Sequence, residues 1–383
     1  MNKGDKMIYL DYSATTPVNK KVLETYVKTC EDFVGNPNSI HRLGVESNHL
    51  IEKATEQIAN IMKVKPSEII YTSGSTESNN LIIKGIANKY KSRGNHIITT
   101  GLEHSSVYGP LNYLQQSGIE VDFVSVDENG LVDLNHLKSL IRDTTILVSI
   151  VAVNSEIGIL QPIKEIGLLL KEYPKCFFHV DATQSVGKVD IDLTNVDLAT
   201  FSPHKFFGLK GISVLIKKEK IELEPLIHGG KSTTIYRSGT PALPLIASCS
   251  KALRLATENM DEKYEYVLKL NRYLINSLKE EKSVVINSNS KCIPHIINIS
   301  VPGIKPDTLV YALEEFNIFI STQSACSSGD SLSLAVNTLT KDEKIASSSL
   351  RICLSSLTTK EEVEEFIKCF KICITRLQLK NKN

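Results

Sequence analysis

The chain lacks an excess of charge of either sign: 44 Lys and Arg stand against 43 Asp and Glu, a formal net charge of +1. That balance gives no strong electrostatic pull toward nucleic acid or a membrane surface. No uninterrupted apolar run reaches membrane-spanning length, and Met1-Asn-Lys-Gly-Asp-Lys has no apolar signal core behind it. The expectation is a cytoplasmic protein with no direct nucleic-acid partner and no membrane partner. No Cys-x-x-Cys pair and no His/Cys cluster shows zinc spacing, so no metal is expected. The eight cysteines (Cys30, Cys176, Cys249, Cys292, Cys326, Cys353, Cys369 and Cys373) are spread along the chain, which favours reduced thiols over a disulfide framework. Cys369 and Cys373 fall among Val363, Phe366, Ile367, Phe370, Ile374 and Leu377, an apolar helix face, and read as core packing. Internal repeats and low-complexity linkers are also missing.

What is present is a chain of 383 residues, 42% hydrophobic and 23% charged, ample for a substantial core in one large or two unequal domains. Residues 7–10 form a short apolar run ending in Asp11-Tyr-Ser-Ala-Thr-Thr-Pro17, an amino-terminal arm and turn. Gly35-Asn-Pro-Asn-Ser39 is a loop by composition, and 42–63 repeats apolar residues at helical spacing. Strand candidates at 68–72, 96–100, 121–126, 146–153, 176–180, 198–201 and 212–216 then alternate with helical candidates at 77–90, 105–117, 133–142 and 162–173. Such alternation argues for an α/β domain with a mainly parallel seven-stranded sheet covered on both faces. Beyond Pro241 the texture changes to a long helical stretch at 244–281, strands at 294–301 and 318–321, and helices at 306–316 and 360–379. The expected division is an arm at 1–15 joining the small domain, a large domain at 16–243 and a smaller α+β domain at 244–383.

One stretch organises the rest, Phe201-Ser202-Pro203-His204-Lys205-Phe206-Phe207-Gly208. The run 198–201 reads as a buried strand that stops at a Ser-Pro break. In open α/β sheets ligands sit beyond the carboxyl ends of strands, so Lys205 falls where a cofactor would lie. A lysine there can form a Schiff base with a carbonyl, the usual tether for pyridoxal phosphate. Taken alone it is ordinarily a solvated residue. However, Ser73-Gly-Ser-Thr76, Asn154, Asp181 and His204-Lys205 each close a separate apolar run. If those runs are neighbouring parallel strands, the four groups converge at one sheet edge. Ser73-Gly-Ser-Thr76 before a helix offers amides and hydroxyls to a phosphate. Asp181 at strand depth wants a cationic partner, which a protonated pyridine nitrogen would supply. Gln184 could reach the ring's phenolic oxygen, and His104 could stack on the ring or relay protons.

Together these segments resemble the cysteine desulfurases of the class V, fold type I pyridoxal-phosphate enzymes. The resemblance rests on Tyr9-Leu-Asp-Tyr-Ser-Ala-Thr-Thr-Pro17, Gly35-Asn-Pro37, Thr72-Ser-Gly-Ser-Thr-Glu-Ser78, Glu103-His104, Val153-Asn-Ser-Glu-Ile-Gly158, His179-Val-Asp-Ala-Thr-Gln-Ser185, Ser202-Pro-His-Lys205, Arg237-Ser-Gly-Thr240 and Ser324-Ala-Cys-Ser327. It spans nearly the whole chain in order and spacing. It implies that Lys205 tethers pyridoxal 5'-phosphate, Asp181 pairs with the ring nitrogen, Gln184 reaches the phenolic oxygen, and Asn154 and His104 lie against the ring. Ser75, Thr76, Ser202 and His204 would hold the phosphate, with Thr240 reaching it from the other subunit of a homodimer. Asn38 and Arg351 would grip the carboxylate of L-cysteine, a task that suits a forked guanidinium. Cys326, in a small and polar stretch suited to a mobile loop, would be the nucleophile that takes sulfur as a persulfide. Lys205 would remove the substrate Cα proton, and His104 is a candidate proton donor.

The resemblance further implies sulfur-acceptor proteins, an iron–sulfur scaffold or a tRNA thiolation enzyme. The alternatives are a lyase acting on selenocysteine or cysteine sulfinate, and an inactive paralogue serving as a binding partner. Departures from the family pattern fall in Lys231-Ser-Thr-Thr-Ile-Tyr236, in the stretch 327–336, and in Ser355-Ser-Leu357, which stands where relatives carry a Gly-Arg-Phe-like sequence. They bear on loops, subunit contacts and acceptor choice, not on Lys205, Asp181 or Cys326.

Overall fold

The computed structural model describes residues 7–323 and 332–380. Strand β1 (Ile8–Tyr9) is followed by helices α1 (Lys20–Asp32) and α2 (Arg42–Met62). Helix α1 is absent from the sequence expectations although Val22, Leu23, Tyr26, Val27 and Cys30 recur at helical spacing; only Val22 and Thr29 of it are buried. Asn19 caps it, accepting from the Lys21 amide at 2.9 Å. Then come β2 (Ile69–Thr72), α3 (Ser75–Lys89), β3 (His96–Thr100), α4 (Ser105–Gln115), β4 (Glu120–Val124) and α5 (Leu134–Leu140). After these lie β5 (Thr145–Val151), α6 (Ile163–Leu170), β6 (Phe177–Asp181), β7 (Leu198–Phe201) and β8 (Ser213–Lys217).

The seven strands β2 to β8 form one sheet in the order β2-β8-β7-β6-β5-β3-β4. The pairs β3/β4, β3/β5, β5/β6 and β6/β7 are parallel, while β8 runs antiparallel between β2 and β7. Strands β5 to β8 are buried along their whole length, as expected when helices cover both faces. Alternate residues supply the two faces: Val148, Phe178 and Ala199 pack into one core, and Leu147, Phe177 and Leu198 into another. Because β8 reverses between its neighbours, β2 points the same way as β7. The carboxyl ends of β2, β5, β6 and β7 therefore share one edge.

The helical stretch expected over 244–281 is made of two helices, α7 (Leu243–Thr257) and α8 (Met260–Lys279). Glu258 is extended and Asn259 takes the left-handed region at φ 52°, which Asn tolerates and a continuing helix does not. The remaining elements are β9 (Val285–Ile286), β10 (Ile296–Ser300), α9 (Pro306–Glu314), β11 (Ile318–Phe319), α10 (Leu334–Thr340), α11 (Glu343–Ala346), β12 (Ser349–Cys353) and α12 (Lys360–Lys380). Strands β12-β10-β9 form an antiparallel sheet. The amino-terminal arm joins this part of the chain, with β1 parallel to β11 through Ile8 opposite Ile318. One core accordingly gathers Ile8 and Leu10 with residues from Val267 to Leu377, Cys369 and Cys373 among them. No helix among the described residues is long and apolar enough to cross a membrane.

Candidate active site

At the end of β7 the chain turns through a short 3-10 segment, Pro203–Lys205, closed by hydrogen bonds from the Phe206 and Gly208 amides to the Pro203 carbonyl at 2.9 and 2.8 Å. Gly208 is required there: a Cβ would come within 2.5 Å of Pro203 Cβ. The turn throws Lys205 over the sheet edge, where its Nζ donates to the carbonyls of Ser13 and Ala14 at 2.7 and 2.8 Å. The arm is pinned to the same turn, with Thr16 Oγ1 donating to the His204 carbonyl at 2.9 Å.

Lys205 lines a cavity of about 360 Å³ together with Ser75, Thr76, His104, Asp181, Gln184, Ser202, His204 and Arg351. Asp181 ends β6, and its carboxylate accepts from Asn79 Nδ2 at 2.8 Å and the Thr183 amide at 3.0 Å. Asn79 lies on α3, one turn beyond Ser75, so that helix both opens the phosphate-type loop and braces the acid. Ser202 Oγ lies 2.7 Å from Ser75 Oγ and accepts from the Ser75 amide at 3.1 Å. Hydroxyls from two strand ends thus meet at the amino terminus of α3, whose dipole and first-turn amides favour an anion. His204 faces Thr15 Oγ1 at 3.2 Å through Nδ1. Burial, with Lys205, Lys210 and Lys188 nearby, pushes its imidazole down to about 3, so at neutral pH it is uncharged. His104 caps α4, its Nδ1 accepting from the Ser106 amide at 3.1 Å, and this fixes the ring beside the cavity.

Arg351 enters from the other part of the chain, midway along β12, and is 1% exposed. Its Nη2 donates to Asp11 Oδ1 at 2.7 Å and its Nη1 to the Ser155 carbonyl at 3.1 Å. Its Nε is buried with no hydrogen-bond partner among the described residues.

Three residues named from the sequence lie outside the cavity lining. Asn154 is buried just below it, with Nδ2 on the Leu102 carbonyl at 2.8 Å and Oδ1 on the amides of Glu156 and Ile157 at 3.0 and 2.7 Å. Asn38 and Thr240 are exposed, and Asn38 Oδ1 accepts from Ser232 Oγ at 3.2 Å. Cys326 lies outside the described residues. Conversely, sequence reasoning missed Asn79, Thr183 and the backbone carbonyls of Ser13 and Ala14. Asn79 carried a usable signal, since it sits four residues after Ser75 on the same helix face. Carbonyls carry none.

A basic end, an acidic floor and a hydroxyl-lined anion pocket at one sheet edge are what pyridoxal phosphate requires: an amine for its aldehyde, a carboxylate for its ring nitrogen, donors for its phosphate. The donor set fits.

Comparison with known proteins points the same way. Residues 8–366 match the model of the family described as aminotransferase class-V. The chain is 40% identical to "Cysteine desulfurase IscS" of Vibrio campbellii over 97% of this chain and 93% of that protein. It is 39% identical to "Cysteine desulfurase, mitochondrial" of Saccharomyces cerevisiae over 95% of this chain and 74% of that one. Among solved structures, a NifS-like protein superposes with a TM-score of 0.91 at 35% identity, covering 97% of this chain and all of its own. A structure described as SspA in complex with cysteine gives 0.80 at 32% identity over 92% of this chain and 99% of that one.

Proposed function

The chain belongs to the aminotransferase class-V family, and from that premise we propose that it is a cysteine desulfurase that converts L-cysteine to L-alanine. The observation that carries this is the single cavity at the sheet edge lined by Lys205, Asp181, Ser75, Ser202 and Arg351. Lys205 would hold pyridoxal 5'-phosphate by its aldehyde, Asp181 its ring nitrogen, Gln184 its phenolic oxygen, and Ser75, Thr76, Ser202 and His204 its phosphate. When bound, the cofactor supplies an electron sink that eases bond cleavage next to the substrate's amino group.

The chain's own residues do the rest. Arg351 binds the substrate carboxylate with the donors Asp11 leaves to it, and Asn38 closes on the same group. Lys205 Nζ, freed from the Ser13 and Ala14 carbonyls, removes the Cα proton. The Cys326 thiolate attacks the substrate sulfur, so that an S–S bond forms as the C–S bond breaks. The electron pair of that C–S bond is returned to carbon and, with protons delivered near His104, yields alanine. Thiol plus cysteine becomes persulfide plus alanine, and the balance closes without an outside oxidant. The persulfide then passes to an acceptor protein of iron–sulfur assembly or tRNA thiolation.

A second copy of the chain completes the site in this reading and brings its Thr240 to the phosphate. In support, Thr240 and Asn38 are exposed, and Asn38 lies in a loop that also bares Val34, 82% exposed, and Ile40, 99% exposed. The described cysteines are free, which suits the cytoplasm.

The test is to supply the cofactor and L-cysteine, then measure alanine by chromatography and sulfur on the Cys326 peptide by mass spectrometry. Alanine and one added sulfur are expected from the parent, and neither from Cys326→Ala, which keeps its visible cofactor band. Undiminished alanine formation by Cys326→Ala would overturn the nucleophile.

A further inference from the structure

Beside the site lies a second lysine that the scheme above leaves unused. The turn 182–188 folds tightly after β6, with the amides of Ser185 and Val186 on the Ala182 carbonyl at 3.1 Å and the Lys188 amide on Ser185 at 2.9 Å. Gly187 makes this possible: its φ is +78°, and a Cβ would lie 2.9 Å from Ala256 Cβ and 3.0 Å from Phe206 Cβ. The turn buries Lys188 to 8% exposure. Its side chain lines a second cavity of about 470 Å³ behind Lys205, whereas Gln184 lines the candidate active site.

Lys188 Nζ donates to Gln184 Oε1 at 2.7 Å. Gln184 Nε2 in turn donates to the Ser13 carbonyl at 3.0 Å, the carbonyl that also takes Lys205 Nζ at 2.7 Å. A chain of three hydrogen bonds therefore joins the two amines. An amide's oxygen and nitrogen are told apart by what each can bond. A donor fixed on Oε1 commits Nε2 to the cavity side.

We propose that Lys188 is a positioning residue that locks the Gln184 amide with its N–H turned into the site, so that Gln184 acts there as a donor. This rests on the cofactor reading above. The groups around Lys188 are Lys205, Arg351, His204, His295 and the Cys353 thiol, with no carboxylate among those that shift it or are shifted by it. Burial first, then the field of Lys205, lowers its amine to about 7, so the donor on Gln184 persists as ammonium or amine alike. A donor held on the cofactor's phenolic oxygen favours the ionised oxygen, so losing it must raise the pH at which the bound cofactor's visible band changes.

The test titrates that band in the holoprotein of the parent, Lys188→Met, Lys188→Gln, Gln184→Leu and the Lys188→Met/Gln184→Leu double variant. Lys188→Met should raise the midpoint by about half to one unit, the effect of one neutral hydrogen bond. Lys188→Gln, neutral but still a donor, should recover most of the shift. In the Gln184→Leu background Lys188→Met should add nothing, because it acts through that amide. An unmoved midpoint in Lys188→Met, a Lys188→Gln that matches it, or additive shifts would each overturn the proposal. Should Lys188→Met fail to fold, the Lys188→Gln and Gln184→Leu midpoints decide: parent-like for the first and raised for the second, or the proposal falls. No visible band in the parent protein would instead sink the cofactor reading itself, and this inference with it.

Discussion

The large sheet and the small one deliver functional groups to the same cavity in opposite ways. In the large sheet the groups stand at or past the carboxyl ends of strands: Ser75 after β2, Asp181 closing β6, and Ser202, His204 and Lys205 after β7. In the small sheet Arg351 stands midway along β12, paired across to Asn298 of β10, and reaches the cavity sideways. The first arrangement leaves strand interiors free to be apolar and needs turn chemistry at their ends. The second puts a guanidinium inside a strand, where it must be compensated, and Asp11 of the amino-terminal arm does so. Large-sheet groups are therefore held by turns, and the small-sheet group by an ion pair.

Substitutions at the strand ends should damage chemistry more than stability. Lys205→Ala should lower turnover of L-cysteine by about a thousandfold or more, since no other group replaces its amine; alanine release measures it, and near-parental rates would break the scheme. Asp181→Asn should cost about 10²–10³ in kcat, the usual loss when a fixed charge opposite developing charge is removed. Its fold should persist, because the remaining oxygen can still accept from the Thr183 amide while Asn79 can turn its unpartnered Oδ1 to the new NH2; circular dichroism and kinetics together check this.

The small-sheet group should behave the other way round. Asp11→Ala leaves Arg351 buried without its counter-ion, and should destabilise by roughly 3 kcal/mol, the lower end for breaking a buried pair. KM for L-cysteine should rise as the guanidinium loses its orientation. Denaturant melts and initial rates give both, and a variant as stable as the parent would show that Asp11 adds nothing to the arm.

The smallest effect sharpens the comparison within the large domain. Glu103, next to His104, is buried with Oε1 accepting from Thr100 Oγ1 and the Val151 amide, and Oε2 without a partner among the described residues. Burial raises its carboxyl to about 8 from an ordinary 4.5, so the folded chain keeps a proton that the unfolded chain releases. The sign follows: between about 4.5 and about 8 folding takes up a proton, and this group's contribution to stability falls as pH rises. Glu103→Gln should remove that penalty, gaining on the parent in melting temperature across that window. A constant difference across it would contradict the assignment.

The same contrast explains what could be read from the sequence. Apolar runs that stop at Ser-Pro, at Asp181 or at Ser73-Gly-Ser mark strand ends, and a period of two or 3.6 places them in an alternating sheet. Arg351 in Ser349–Cys353 offered no such break, so only the family resemblance pointed to it, and β12 itself went unread. The kink at Asn259 was hidden because Glu258 and Asn259 sit in a run with good helical spacing on both sides. The arm's role was invisible for a different reason: Ser13 and Ala14 act through carbonyls, which every residue possesses. Lys188 was legible only as part of a quoted segment, since its meaning depends on a turn that buries it.

The central claim is that the amine over the sheet edge is the one that holds the cofactor. Borohydride reduction of the protein loaded with pyridoxal phosphate, followed by peptide mapping, tests it most directly. The account predicts one pyridoxyl group per chain, on Lys205; its appearance on Lys188 or Lys210, or on no lysine at all, would contradict it.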